Sequence, residues 1–248
     1  MSYRATAGAA LLVAGFALGA PTGALAQSAQ SEPPAQPTLR TFFPDLGGDF
    51  KRLPSNPAVS SVAIGGVLAA SLTPLDDNVL DWEPATGWKA GQWIGNPFVL
   101  GGSTLAAYAV GHWTDKPRVR HVADDALRAQ IVAATLTFGL KYTVRRERPD
   151  ETSKDSFPSG HASGTFATAT VLARHLGIKA AIPAYATATF VSVSRINQHR
   201  HWVSDVAFGA GLGVAAGWNG YPHTGNWAFS PEVGRSQVAL NVSRVFAP

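Results

Sequence analysis

The chain has 248 residues, of which 46% are hydrophobic, 15% are charged and none is cysteine. That length suits one large or two small domains, and a charged share below the roughly 25% of ordinary soluble domains points to a helical bundle that is unusually apolar or touches lipid. The net charge of +4 is too small to mark a nucleic-acid partner, and the lack of cysteine excludes disulfides, thiolate chemistry and cysteine-ligated zinc.

Residues 1–26 read as a secretory signal peptide, with Arg4 as the positive region, Ala9 to Ala20 as the apolar stretch and Ala24-Leu25-Ala26 as a small-x-small cleavage site. The alternative is an uncleaved N-terminal anchor; either takes the chain out of the cytoplasm, to the periplasm or the outward face of the inner membrane. Residues 27–40 are rich in Ser, Pro and Gln and read as a flexible leader. A helical domain is expected over 41–227, with its motif-bearing core at 98–220, and a separate tail over 228–248.

Leu39 to Leu53 carries Phe42, Phe43 and Phe50 and reads as an amphipathic helix lying across a bundle. Ala58 to Leu72 is the first apolar run, stopped by Thr73-Pro74. Pro84, Gly87, Gly91 and Gly95 break the next stretch into a loop with short helical pieces. Its Trp82, Trp88 and Trp93 suit either an interfacial belt or core anchors. Apolar helices are then predicted over Phe98–Trp113, Asp124–Thr143, Gly160–His175, Ala180–Ser194 and His201–Trp218. Asp124 and Asp125 would begin the third of the six and Lys141 would end it, matching the helix dipole. Gly209, Gly211, Gly213 and Gly217 would let the last helix approach its neighbours closely. Val238, Leu240 and Val242 alternate with polar or small residues, the period of a short strand or hairpin. The fold class is therefore all-α, a six-helix bundle with a short C-terminal strand or hairpin.

Three stretches carry chemistry. Lys141 to Arg148 holds four basic residues and one acidic, a local charge of +3. Arg148 can bind two oxygens at once and Lys141 acts as a point charge, together a clamp for an oxyanion. In Phe157-Pro158-Ser159-Gly160-His161, a loop enters a helix, so backbone N–H groups at Ser159 and Gly160 can cradle an anion beside His161. Ser194-Arg195 leads to His201 and Asp205, four residues apart, the spacing that puts imidazole and carboxylate on one helical face. Three cations and a helix N-terminus suit phosphate better than a carboxylate. A histidine backed by a carboxylate is a candidate nucleophile, and a second is free to protonate a leaving oxygen. No His-Glu-x-x-His or comparable metal-ligand spacing appears. Arg145 and Arg146 read as surface or headgroup contacts, His199 as a loop residue, and His112, His121, His175 and His223 as structural or exposed.

Lys141-x6-Arg148-Pro149, Pro158-Ser159-Gly160-His161 and Ser194-Arg195-x5-His201-x3-Asp205 together resemble the tripartite signature of the type 2 phosphatidic acid phosphatase superfamily. That superfamily takes in bacterial acid phosphatases, lipid phosphate phosphatases and vanadium haloperoxidases, and the resemblance covers about residues 98–220. It implies a phosphatase that uses neither metal nor other cofactor. His201 would attack phosphorus and form a phosphohistidine, with Asp205 orienting its ring. His161 would protonate the leaving oxygen and then activate water. Lys141, Arg148, Ser159, Gly160 and Arg195 would hold the phosphate. The expected partner is a phosphorylated small molecule or a lipid phosphate, not a nucleic acid; the oligomeric state stays open. A vanadate-dependent haloperoxidase and a non-enzymatic envelope protein are the competing classes. The intact motif set disfavours the latter, and the short interval from Pro149 to Pro158 disfavours the former. Arg128 and Lys141 bracket only about 20 Å of helix, short of a hydrocarbon core of about 30 Å, so a soluble periplasmic bundle and a membrane-embedded one both stay open.

Overall fold

The computed structural model describes residues 36–54, 56–219, 227–233 and 238–244. The stretch read as a signal peptide, most of the leader and His223 lie outside them. The first helix, α1 (Leu39–Arg52), starts within the stretch read as leader. The Thr38 hydroxyl caps it by accepting from the Thr41 N–H at 3.3 Å, satisfying one of the donors that a helix start leaves open. Tyr108 ties down the approach by donating its hydroxyl to the Pro37 carbonyl at 2.9 Å. The helix lays Leu46 and Phe50 on the core.

The helices that follow are α2 (Asn56–Leu72), α3 (Lys89–Ile94), α4 (Pro97–Trp113), α5 (Pro117–Val144), α6 (Gly160–Leu176), α7 (Ile178–Asn197) and α8 (Val203–Trp218). The described residues thus hold eight α-helices rather than six, the additional two being α1 and the short α3, which sits among three 3-10 turns between α2 and α4. Strands β1 (Trp227–Val233) and β2 (Val238–Arg244) pair antiparallel, with Phe229 opposite Val242.

Helix α8 forms the centre, buried almost throughout from Ser204 to Gly217. Glycine makes this possible. A Cβ added at Gly213 would stand 2.3 Å from the Ser163 carbonyl oxygen on α6, and one at Gly211 would stand 2.7 Å from the Gly65 Cα on α2. Any side chain at either position would push a neighbour away, a strain of about 1–3 kcal/mol in a packed core. Small residues let three helices meet at backbone distance, so the core is rich in alanine and valine: Val132, Ala133, Ala167, Val171 and Ala216 are all buried.

Helix α5 begins at Pro117, seven residues before the predicted start, because proline suits the first turn. Asp124 and Asp125 therefore do not serve the helix dipole. They lie in its interior, where they surround Arg128, which is 1% exposed. Arg128 donates to Asp124 at 3.0 Å and also binds Asp125 and Asp49. His175 of α6 meets Asp125 at 2.7 Å, so this buried ionic cluster joins α1, α5 and α6. Arg145 closes α5 in the left-handed conformation, at φ 51°.

The outer surface keeps large apolar side chains in contact with solvent. On α4, Phe98 and Trp113 are 88% and 80% exposed at opposite ends of a helix without acidic or lysine and arginine residues. Pro57–Leu75 is the one helical stretch among the described residues long and apolar enough to cross a membrane.

Candidate active site

One end of the bundle gathers all the residues singled out above. Lys141 comes from the last turn of α5, Ser159, Gly160 and His161 from the start of α6, Arg195 from the last turn of α7 and Asp205 from the first turn of α8. Arg148 and His201 sit on the connecting loops. One placement differs from the helical-spacing argument. His201 precedes α8, so it and Asp205 are not one turn apart on a helix; Asp205 instead accepts from the Trp202 N–H at 3.0 Å as part of the helix cap.

His201 is 3% exposed. Its Nδ1 lies 2.8 Å from the Ser156 carbonyl oxygen, and a carbonyl can only accept. Nδ1 therefore carries the proton and Nε2 keeps its lone pair. The Asp205 carboxylate is 3.8 Å from Nδ1, beyond hydrogen-bond range. The expectation that Asp205 itself holds the ring is thus corrected: the Ser156 carbonyl holds it, and Asp205 acts on it through charge. Burial pushes the His201 pKa down to about 4, against the pull of Asp205 and with help from the positive charges of Lys141 and Arg148.

Asp205 is fully buried and fully engaged. Arg146 donates to Oδ1 at 2.7 Å, while the Ser156 hydroxyl donates to Oδ2 at 2.5 Å. Burial works against its ionised form, and the His201 ring, the Ser156 hydroxyl and the Arg146 guanidinium outweigh it, holding the pKa below the usual carboxylate value. Arg146, its side chain 30% exposed, is thus committed to buried carboxylates and does not simply face outward. It spans Asp205 and Asp76, donating to the latter at 2.8 Å. Sequence reasoning missed Arg146, Ser156 and Asp76. The first lies in the variable positions of the Lys141–Arg148 stretch, and the second acts mainly through a backbone carbonyl, which residue type does not encode.

The cationic groups facing the histidines differ in how far they are committed. Arg195 is 5% exposed, and its Nε and Nη1 have no hydrogen-bond partner. His161 Nε2 also lacks one. Arg148 is held by Asp155, with Nη2 donating at 3.0 Å, and Lys141 donates to the Asp155 and Ser156 carbonyls. Burial, with the neighbouring Arg200 and Arg148 charges, lowers the Arg195 pKa to about 10. Burial lowers that of Lys141 to about 8. Buried donors without acceptors are costly, and here they converge with cations that repel one another, an arrangement that an anion relieves.

At the start of α6, the Ser159 hydroxyl accepts from the Ala162 N–H at 3.4 Å, and the Ser159 N–H donates to the Asp205 carbonyl at 3.1 Å. The Ser159 amide is therefore committed to structure, while those of Gly160 and His161 have no acceptor within their own helix. From outside α6, the Gln92 backbone on α3 faces the His161 ring and favours its charged form. Helix α3 comes this close because Gly95 lacks a side chain: a Cβ there would stand 2.9 Å from His161 Cδ2 and 2.4 Å from Val191 Cγ1. Burial, then the Arg195 and His201 charges, drive the His161 pKa down to about 3.

Residues 125–227, which contain every motif above, match the model of the PAP2 superfamily. Over 103 residues the chain is 38% identical to a lipid A 1-phosphatase of Porphyromonas gingivalis, covering 40% of this chain and 23% of that protein. Over 95 residues it is 36% identical to a decaprenylphosphoryl-5-phosphoribose phosphatase of Mycobacterium tuberculosis, covering 35% of this chain and 52% of the relative. The chain thus spans about half or less of the curated relatives it matches. Among solved structures, it is similar to Aquifex aeolicus LpxE, at 23% identity and a TM-score of 0.44, over 52% of this chain and 80% of that one. It is also similar to a transmembrane PAP2 type phosphatidylglycerolphosphate phosphatase from Bacillus subtilis, at 24% identity and a TM-score of 0.42, over 66% of this chain and 92% of that one.

Proposed function

We propose that the chain is a phosphatase that hydrolyses a phosphate ester through a phosphohistidine on His201, without a metal, with lipid phosphates as its substrate class. The observation that carries this reading is the state of the buried groups. Nδ1 of His201 is tied to the Ser156 carbonyl, which leaves Nε2 as a nucleophile, while Arg195 and His161 present buried nitrogens without partners.

In the first step the Nε2 lone pair forms a bond to phosphorus as the bond to the leaving oxygen breaks. Protonated His161 gives its proton to that oxygen, releasing an alcohol. In the second, neutral His161 takes a proton from water, the hydroxide oxygen bonds to phosphorus, and the phosphorus–nitrogen bond breaks to release inorganic phosphate. Lys141, Arg148 and Arg195, with the Ser159 hydroxyl and the Gly160 amide, hold the equatorial oxygens, where phosphoryl transfer concentrates its charge. Asp205 offsets the positive charge that His201 gains on phosphorylation.

Lipid phosphates are favoured by what flanks the phosphate groups. Tyr142 follows Lys141 directly and Phe138 precedes it by about one turn; Trp93 follows Gln92. All three are exposed, at 89%, 67% and 70%. Exposed aromatic residues next in sequence to the proposed phosphate groups suit a substrate with an anionic head and a hydrocarbon tail. The named relatives act on lipid-linked phosphates, in agreement, and the signal-like N-terminus supports a reaction in the cell envelope. His201→Ala is expected to abolish phosphate release from short-chain phosphatidic acid; release at the parent rate would overturn the proposal.

A further inference from the structure

The site's most elaborate contacts lie behind His201, among groups that would never touch the phosphate. Asp76 follows α2 and is 3% exposed. It accepts from the Ser204 N–H at 3.0 Å, from the Ser204 hydroxyl at 2.6 Å and from Arg146 at 2.8 Å. Arg146 also donates to the Ser204 hydroxyl and to Asp205, both at 2.7 Å, and its guanidinium lies 5.3 Å from the Trp202 ring centroid. One side chain thus links the end of α2, the loop after α5 and the first turn of α8.

We propose that Arg146 is a positioning residue for the phosphoryl-transfer reaction: by bridging Asp76 and Asp205, it fixes Asp205 as an ionised carboxylate behind His201. This inference rests on the phosphatase reading of the site. Two buried carboxylates that share one neighbourhood cannot both stay ionised without a cation between them. A planar guanidinium satisfies both at once, which an ammonium group does not reproduce. The carboxylate so held is the nearest negative charge to Nδ1 of His201, at 3.8 Å, and it offsets the imidazolium formed on phosphorylation. The charged or titratable groups facing Asp205 are Arg146 from the loop after α5, Asp76 from the end of α2, Lys141 from α5 and His201 from the loop before α8. Arg148 bears on His201 from the same side as Lys141. Removing Arg146 raises the proton affinity of both Asp205 and His201, so both changes move the acid limb of activity to higher pH.

The test compares the parent protein with Arg146→Ala, Arg146→Lys and Asp76→Asn as full chains, assayed for phosphate release from short-chain phosphatidic acid across pH. Inhibition by inorganic phosphate serves as the readout of the pocket itself. For Arg146→Ala we expect kcat to fall by roughly 10–100-fold, the size typical of lost supporting contacts. KM and phosphate inhibition should stay within about twofold, and the acid limb should move to higher pH. Arg146→Lys should recover part of the rate, and Asp76→Asn, which removes a like charge but leaves Arg146 without its second anchor, should lower kcat by less while its acid limb moves to lower pH. An unchanged kcat and acid limb in Arg146→Ala would overturn the proposal, as would loss of phosphate inhibition in step with kcat. If Arg146→Ala does not fold, the other two variants decide: parent kcat in both overturns it. Parent and His201→Ala proteins run alongside separate the two readings, because failure of the phosphatase reading appears in them and failure of the bridge only in the Arg146 and Asp76 variants.

Discussion

His161 poses the sharpest question at the scale of single residues. Its proposed task is to donate a proton, yet burial and the Arg195 and His201 charges set its pKa to about 3, so it is neutral near pH 7. The Arg195 charge, which adds to burial in suppressing its proton, is neutralised when a phosphate dianion lies beside it, and the pKa then rises. Phosphate binding should therefore load His161 with the proton it needs. Calorimetric titration with inorganic phosphate near neutral pH, in buffers of different ionisation enthalpy, measures protons taken up per phosphate bound. The parent protein is expected to take up more than His161→Ala; equal uptake would contradict the account. His161 and Arg195 were legible in the sequence because their motifs specify a side chain. The Ser156 carbonyl and the Gln92 backbone were not, since any residue type offers a carbonyl and only the chain path brings these two to the imidazoles.

At the scale of elements, apolar runs and their stops located each long helix, and misplacements came where a side chain took a different partner. Asp124 and Asp125 looked like a helix start on charge alone. They lie inside α5 because Arg128 needs acidic neighbours once buried. The expected end of the third helix at Thr143 lies one residue from the observed Val144, where Arg145, with its positive φ, turns the chain so that Arg148 reaches Asp155. The close approach of α8 to α2 and α6 was readable from its glycines, since few other reasons exist for four in one helix. That glycine at 95 would decide the distance from α3 to His161 was not, because a lone glycine after a short helical piece also reads as an ordinary cap.

Over the whole molecule, two buried ionic groups separate stability from chemistry. The cluster around Arg128 ties α1, α5 and α6 together about 20 Å along α5 from Lys141, at 1.5 Å per residue. Arg128→Ala would leave Asp124 without its partner and Asp49 and Asp125 with only Arg52 and His175, a loss of roughly 3–5 kcal/mol, read as a lower denaturation midpoint. Below that midpoint, phosphate release should stay near the parent rate; collapse of activity in a folded variant would mean that the two ends are coupled. At the other end, the proposal places one phosphorus atom among the cations and histidines, in front of the Arg146 bridge. The central claim is that this atom passes through a covalent bond to His201. Acid-labile phosphoryl groups are preserved by quenching in base, so the direct measurement is rapid quench of a short-chain lipid phosphate turnover, followed by peptide mass spectrometry. The account predicts phosphate on His201, increased in His161→Ala if that variant still forms the intermediate but hydrolyses it slowly. Turnover at the parent rate with no phosphorylated His201 at any quench time, under conditions that preserve a phosphohistidine standard, would contradict it.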